Sequence, residues 1–289
     1  MSHTATATVD SRLGRFARLC WRRKAASIGA LVTLLVALAA LCAPLLAGHD
    51  PNEQDILLQF AGPSADHILG NDSFGRDVWA RILYGARVSL TISVAAIALA
   101  MVVGGLLGMI AGYRGGAVDR VIMSIMDMLL SFPSLVMGLL VVAVLGASMN
   151  NLIIAIAFTA VAPFARIARA PTLAVRQRDF IEAGRALGYS DRRLMFRHIL
   201  PNILDEILVL GSLWLATAIR TEASLSFIGL GVRPPTATWG GMIREGFENM
   251  LDAPGLVIYP SIAILIVMIS LNLLGDGLRD ATDPKLRNE

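Results

Sequence analysis

The apolar residues of this 289-residue chain come in long blocks, and this constrains its fold more than any other feature. A helix needs about 20 mostly apolar residues to cross about 30 Å of bilayer hydrocarbon. Six segments reach that length, at about 26–47, 87–112, 118–146, 149–168, 203–230 and 255–275. Inside hydrocarbon the backbone must satisfy its own hydrogen bonds, so each block reads as a helix. Only 16% of the residues are charged and 55% are hydrophobic, whereas a soluble domain has about a quarter charged. The expectation is an all-α integral membrane protein with six transmembrane helices, with no composition suited to nucleic-acid binding.

No interior repeat of fixed period and no low-complexity linker divides the chain. Arg22, Arg23 and Lys24 before an apolar run resemble a signal peptide. The run from Ile28 to Leu46 exceeds the 7–15 apolar residues of such a peptide, and Leu41 before Cys42 is too large for a lipoprotein cleavage site, so a retained first span is expected. The expected organisation is a tail at 1–25, a first helix at 26–47, a loop at 48–86, a five-helix domain at 87–275 with a hydrophilic loop at about 170–202, and a tail at 276–289. If the N-terminus lies inside, the inner segments hold 19 of the 25 Lys and Arg residues. The outer segments hold five, namely Arg76, Arg81, Arg87, Arg233 and Arg244. That bias places both termini in the cytoplasm. The 48–86 loop is acidic, and Val78, Ile82 and Leu83 have near-helical spacing, which predicts either an amphipathic surface helix ahead of the second span or a plain connector.

Charged residues within apolar spans are costly and therefore informative. Asp127 sits about 10 Å into the third span, and Arg166 approaches a similar depth from the fourth. They are expected to pair, as a structural bridge or as a gate contact. Arg220 and Glu222, near the outer end of the fifth span, are two residues apart and point to different faces of a helix. Each needs its own partner, which can be the outer loop, a partner subunit or a substrate in the pathway. Pro133 and Pro163 are expected to bend their helices, and Gly104, Gly105 and Gly108 to permit close helix approach. His198 has no accompanying His or Cys, and Cys20 and Cys42 are far apart, so no metal site is expected in this chain.

The hydrophilic segment from Asp179 to Pro201 is the most informative. Good helix formers over Phe180–Leu187 run into Gly188, a natural C-terminal stop. Ser190 and Asp191 can cap a second helix, and Pro201 is placed to break it before the fifth span. Helix, glycine turn and helix form a compact knob suited to a groove on another protein.

This segment resembles the EAA loop of ABC importer permeases, E-A-A-x-x-x-G followed by I-x-x-H-x-x-P. Glu182, Ala183, Gly188, His198 and Pro201 match, while Gly184 replaces an Ala and Met195 an Ile. Gly184 is expected to loosen the helix by up to about 1 kcal/mol. Three more stretches resemble the C-type permease of dipeptide, oligopeptide and nickel importers. They are Leu69–Val78 running on to Arg87, Glu222–Pro235 ending in Trp239-Gly240, and Leu273–Asp280 with Asp283-Pro284. The resemblance implies a type I ABC importer permease fold in the bacterial inner membrane, with Glu182, Ala183, Gly184, Gly188, His198 and Pro201 coupling to an ATPase. It also implies a second permease, two ATPase subunits and an extracytoplasmic substrate-binding protein. The chain contains no G-x-x-x-x-G-K-[ST] loop, and its only lysines, Lys24 and Lys285, lie near its ends. ATP and Mg are therefore expected in partner subunits, and this chain is not expected to be an enzyme. Short peptides are the expected substrate, with nickel complexes or another small solute as the alternative. From other classes, the alternatives are an ion-gradient-driven transporter, favoured by midplane ionisable residues and inverted repeats that the sequence does not clearly show, or a membrane scaffold or sensor.

Overall fold

The computed structural model describes residues 24–282. Most of the predicted N-terminal tail, with Cys20, and the second half of the predicted C-terminal tail, with Asp283-Pro284, lie outside these residues. The described residues are helical apart from loops and one isolated bridge between Asn71 and Asp77. In chain order the helices are α1 (Lys24–Leu41), α2 (Ala43–Leu46), a 3-10 turn (Ile56–Leu58), α3 (Val78–Arg114), α4 (Gly116–Leu130), α5 (Ser134–Leu145), α6 (Met149–Arg176), α7 (Asp179–Ala186), α8 (Asp191–Ile228), α9 (Trp239–Glu248) and α10 (Gly255–Thr282). Among them, α1, α3, α6, α8 and α10 are each long and apolar enough to cross a membrane, and α4 with α5 makes a sixth if counted as one span.

Three expectations change. The third span is not one helix: α4 and α5 meet at 94° across Ser131–Pro133. Pro133 has no N–H to donate and disfavours helical backbone at Phe132, so the chain turns at this point. Residues 78–90 are not a separate surface helix but the start of the 37-residue α3. Asp77 begins that helix by accepting from the Ala80 N–H at 2.6 Å, and Val78, Ala80 and Leu83 are buried in the protein. Pro201 does not break the fifth span. The helix passes through a π-helical stretch, Leu194–Ile199, where the Leu200 N–H reaches back to the Met195 carbonyl. A widened turn just before Pro201 accommodates the missing proline donor. A short helix, α9, lies between α8 and α10. Thr238 caps it by accepting from the Gly241 N–H at 3.1 Å, and Trp239 and Met242 face inward.

The central contact is α3 against α6, where three glycines one turn apart bring the backbones together. A Cβ at Gly104 would collide with the Val161 carbonyl, one at Gly108 with the Ala165 carbonyl, and one at Gly112 would lie 2.8 Å from the Arg169 carbonyl. Gly105 faces away, toward Ile207 at 3.6 Å. Around this seam Ile92, Met109, Leu152, Phe164, Ile199 and Ile203 form one buried core shared by α3, α6 and α8. Pro163 and Pro171 both lie inside α6, which continues through them.

The first helix is an addition on the side of the bundle. Few of its residues are buried, and it lies along α10 with Gly29 against Leu273 and Ser270, Ala26 against Gly277, and a hydrogen bond from Thr33 to Ser270. A Cβ at Gly29 would lie 2.7 Å from both the Leu273 Cβ and the Ser270 carbonyl. Gly29→Leu should therefore lift α1 from α10 at a cost of about 1–3 kcal/mol, as for other overpacked contacts. A thermal melt would register the loss, and a disulfide trap between cysteines placed across the two helices would stop closing.

Candidate functional site

The knob is built by local rules. At the end of α7 the Tyr189 N–H bonds the Gly184 carbonyl at 3.0 Å and the Gly188 N–H bonds the Arg185 carbonyl at 2.9 Å. This Schellman closure needs the left-handed backbone that Gly188 adopts at φ 77°. Ser190 then caps α8, its Oγ accepting from the Arg193 N–H at 3.4 Å. One side of the knob is anchored: Ile181, Leu194, Met195 and Ile199 bury in the same core as Tyr113 and Val175. The other side presents Phe180, Glu182, Ala183 and Leu187 to the surroundings, with Leu187 73% exposed.

Gly184 has a packing part beside the loosening expected of it. A Cβ there would lie 2.9 Å from Leu194 and 3.2 Å from Tyr189, so the glycine lets α7 fold tightly onto α8. Tyr189 is stacked on His198 with centroids 5.8 Å apart, and the Arg193 guanidinium lies 4.0 Å over the Tyr189 ring. His198 Nε2 is buried with no hydrogen-bond partner among the described residues. Pro201 is exposed, one turn beyond. The knob is also tied to the end of α3: Tyr113 donates to Asp191 at 2.7 Å, and Arg114 lies 3.6 Å from the same carboxylate.

Near this end, two ion pairs join α4 to α6. Arg166 donates to Asp127 at 2.6 Å, with both side chains more than half exposed. Arg169 grips Asp119 with two parallel bonds, one of them at 2.6 Å. The second pair was not anticipated, although a helix-end acid and a basic residue one turn from Arg166 were visible signals. Arg220 and Glu222 do point apart. Arg220 is exposed, whereas Glu222 is fully buried, accepting from Ser226 at 2.7 Å with the hydroxyls of Ser89 and Thr238 nearby. The structure thus brings together Asp127 with Arg166, and Gly184 with His198 through Tyr189. It does not bring Arg220 to Glu222 or to the knob.

The opposite end of α3 holds an arrangement that spacing alone did not reveal. Arg76 bonds Asp72 at 2.7 Å and Glu245 at 2.6 Å, and Arg81 bonds the same two carboxylates at 3.2 and 3.0 Å. Both guanidinium side chains are nearly inaccessible. Trp239 donates its indole N–H to the Ile82 carbonyl at 3.1 Å, and Gly240 packs against the Ala223 backbone. Two of the stretches that carried the family resemblance, 69–87 and 222–240, therefore pack against each other. Between them opens a cleft of about 570 Å³ edged by Arg76, Arg81, Arg233, Arg244 and Glu245.

Known proteins share both the sequence and the fold. Residues 104–288 match the family described as the binding-protein-dependent transport system inner membrane component. Residues 11–63 match the N-terminal transmembrane domain of oligopeptide transport permease C. The glutathione transport system permease protein GsiD of Pectobacterium atrosepticum is 42% identical over 273 residues, covering 93% of this chain and 91% of that protein. The dipeptide transport system permease protein DppC of Alkalihalophilus pseudofirmus is 40% identical over 267 residues, covering 92% and 88%. In fold, the chain is similar to an inward-facing MetNI methionine ABC transporter structure, with TM-score 0.58 and 16% identity over 71% of this chain and 98% of that one. With its apolar helices, its glycine-packed bundle and this extent of shared sequence, the chain belongs to the binding-protein-dependent transport system inner membrane components, and it is a multi-pass ABC transporter permease of the type I importer fold.

Proposed function

We propose that this chain pairs with a second permease of related fold to form the translocation pathway of an importer for short peptides, driven by two separate ATPase subunits. Peptides are favoured because similar permeases are named for glutathione and dipeptide transport. ATP and Mg bind in the ATPases. In this reading the knob end faces the cytoplasm, as the Lys and Arg distribution expects, and the end bearing Arg76 and Arg233 receives substrate from an extracytoplasmic binding protein.

The observation that carries the proposal is the two-sided knob. Its exposed face offers Phe180, Glu182, Ala183 and Leu187 for docking, and its buried face is continuous with the core between α3, α6 and α8. A push on that face moves whole helices. ATP binding closes the ATPase pair and favours the outward-facing state, and hydrolysis returns the inward-facing state. Such a shift requires that nucleotide stabilise one conformation more than the other.

Glu182→Lys combined with Gly188→Val should uncouple the importer. The first reverses the charge of the docking face. The second strains the left-handed turn by about 1–2 kcal/mol without a clash, since nothing lies within 4 Å of a Cβ there. The expected result is loss of co-purifying ATPase and at least a tenfold drop in uptake, corresponding to about 1.4 kcal/mol of coupling, with the melting temperature of the permease lowered by no more than about 8 °C. Uptake that continued without ATPase subunits would defeat the proposal.

A further inference from the structure

Three groups that could hold a metal ion meet beside the N-terminus of α3: His49, His67 and Asp77. One ligand atom from each lies within 4.8 Å of the other two. The residues come from separate stretches. His49 follows the end of α2, His67 lies in the long loop, and Asp77 is the N-cap of α3. We propose that His49, His67 and Asp77 form a binding site for a divalent transition cation of the Zn²⁺ type, one that fastens the end of the first span to the start of the second.

The ligand atoms are already oriented. Asp77 divides its labour: Oδ1 accepts from the Ala80 N–H and fixes the carboxylate, while Oδ2 accepts from His67 Nδ1 at 2.8 Å, a proton that a cation bound between these two atoms would replace. The Asp77 side chain is 3% exposed, so its position is set by the fold. The His49 and His67 rings are stacked, with centroids 4.7 Å apart. His49 Nε2 is 3.0 Å from the Asp66 carbonyl, which can only accept, so this nitrogen carries the proton and Nδ1 holds the lone pair. Ligating histidines are held in the same way, by a bond from the other ring nitrogen to a backbone carbonyl.

The surroundings favour a cation. The site borders a cavity of about 200 Å³ that Asp50, Glu53 and Asp55 also line. Two imidazoles and one carboxylate suit Zn²⁺ or a neighbouring transition ion and leave a position for water, whereas Ca²⁺ and Mg²⁺ prefer oxygen ligands. Ligand atoms at about 2.1 Å from a tetrahedral metal stand about 3.4 Å apart, so closing this cluster takes a movement of about 1 Å. The absence of a Cys or a close-spaced His pair is why spacing did not reveal the site: His49 and His67 are brought together by the loop and not by a helix turn.

The assembled importer in lipid nanodiscs, stripped with chelator, should bind one Zn²⁺ per copy of this chain in a calorimetric titration, and its melting temperature should rise on binding. X-ray absorption should show two imidazole nitrogens at about 2.0 Å. His49→Gln, His67→Gln and Asp77→Asn should each weaken binding at least about tenfold and abolish the thermal shift. His49→Gln alters an exposed ring and Asp77→Asn keeps an oxygen for the α3 cap, so both variants should melt normally without metal. Zn²⁺ binding that is unsaturable, that survives His49→Gln with His67→Gln, or that shows only oxygen ligands would overturn the assignment.

Discussion

Gly108→Leu should leave almost no folded protein. A Cβ at this position would collide with the Ala165 carbonyl, backbone that cannot turn aside as a side chain can, and leucine adds three more carbons. Helices α3 and α6 would have to separate along the seam that also holds Gly104 and Gly112. Lipid tails are as apolar as the side chains, so within a membrane the close fit itself contributes much of the association. Overpacking costs about 1–3 kcal/mol where neighbours can yield, and more is expected against backbone. Gly105→Ala is the internal control. Its Cβ would meet Ile207 at 3.6 Å, an ordinary contact, and a helical Gly→Ala change recovers up to about 1 kcal/mol. Size-exclusion profiles and thermal melts of the two variants should diverge: aggregation or degradation for the first, a normal or slightly raised melting temperature for the second. A well-folded Gly108→Leu protein would mean that the seam is looser than its geometry.

Glu245→Ala should have the next largest effect, at the other end of α3. Glu245 Oε2 accepts from both Arg76 and Arg81, whose side chains are 3% and 2% exposed. Without it, the two buried guanidinium groups share one carboxylate, Asp72, with the Pro51 carbonyl accepting from Arg81 at 3.3 Å. Breaking a buried pair from one side costs about 3–5 kcal/mol, because a charge remains where water cannot solvate it. Glu245 is itself 28% exposed, so water can partly replace it and the lower part of that range is expected. Glu248→Ala supplies the contrast. Its partner Arg244 lies 3.9 Å away and both are largely exposed, so less than about 1 kcal/mol should be lost. Chemical or thermal unfolding of purified protein separates the two outcomes. Equal losses would show that the Arg76–Arg81 cluster is hydrated and not part of the core.

These contrasts explain which parts of the molecule were legible in the sequence. The presence of membrane-length apolar helices was, because hydrocarbon demands an unbroken apolar run and the chain has few other ways to use one. The Asp127–Arg166 contact was legible for the converse reason: an acid and a base at similar depth in neighbouring spans have few alternatives to each other. Gly188 was legible because a Schellman turn is a local rule. The α4–α5 elbow was harder, since a proline within an apolar block can bend a helix or end it, and the block's composition is the same either way. The acid–base cluster around Arg76 was not legible. Glu245 lies 169 residues from Arg76, and no local spacing marks two residues that only the folded bundle brings together. The packing role of Gly184 was not legible for a related reason: its helix propensity is local, but its contact with Leu194 belongs to the tertiary fold.

The unbroken course of α3 has a mechanical consequence. Thirty-seven residues at 1.5 Å each make a rod about 55 Å long, nearly twice the hydrocarbon thickness. One end is fixed to the Asp72–Arg76–Arg81–Glu245 cluster, the other to the knob through Tyr113 and Asp191, and the glycine seam lies between. Such a rod behaves as a lever with its pivot inside the bundle. A tilt of about 10° about its midpoint would carry its two ends about 5 Å in opposite directions. Motion delivered on one side of the membrane can then reach the other as displacement of a single rigid body, without a relay of side-chain rearrangements along the way.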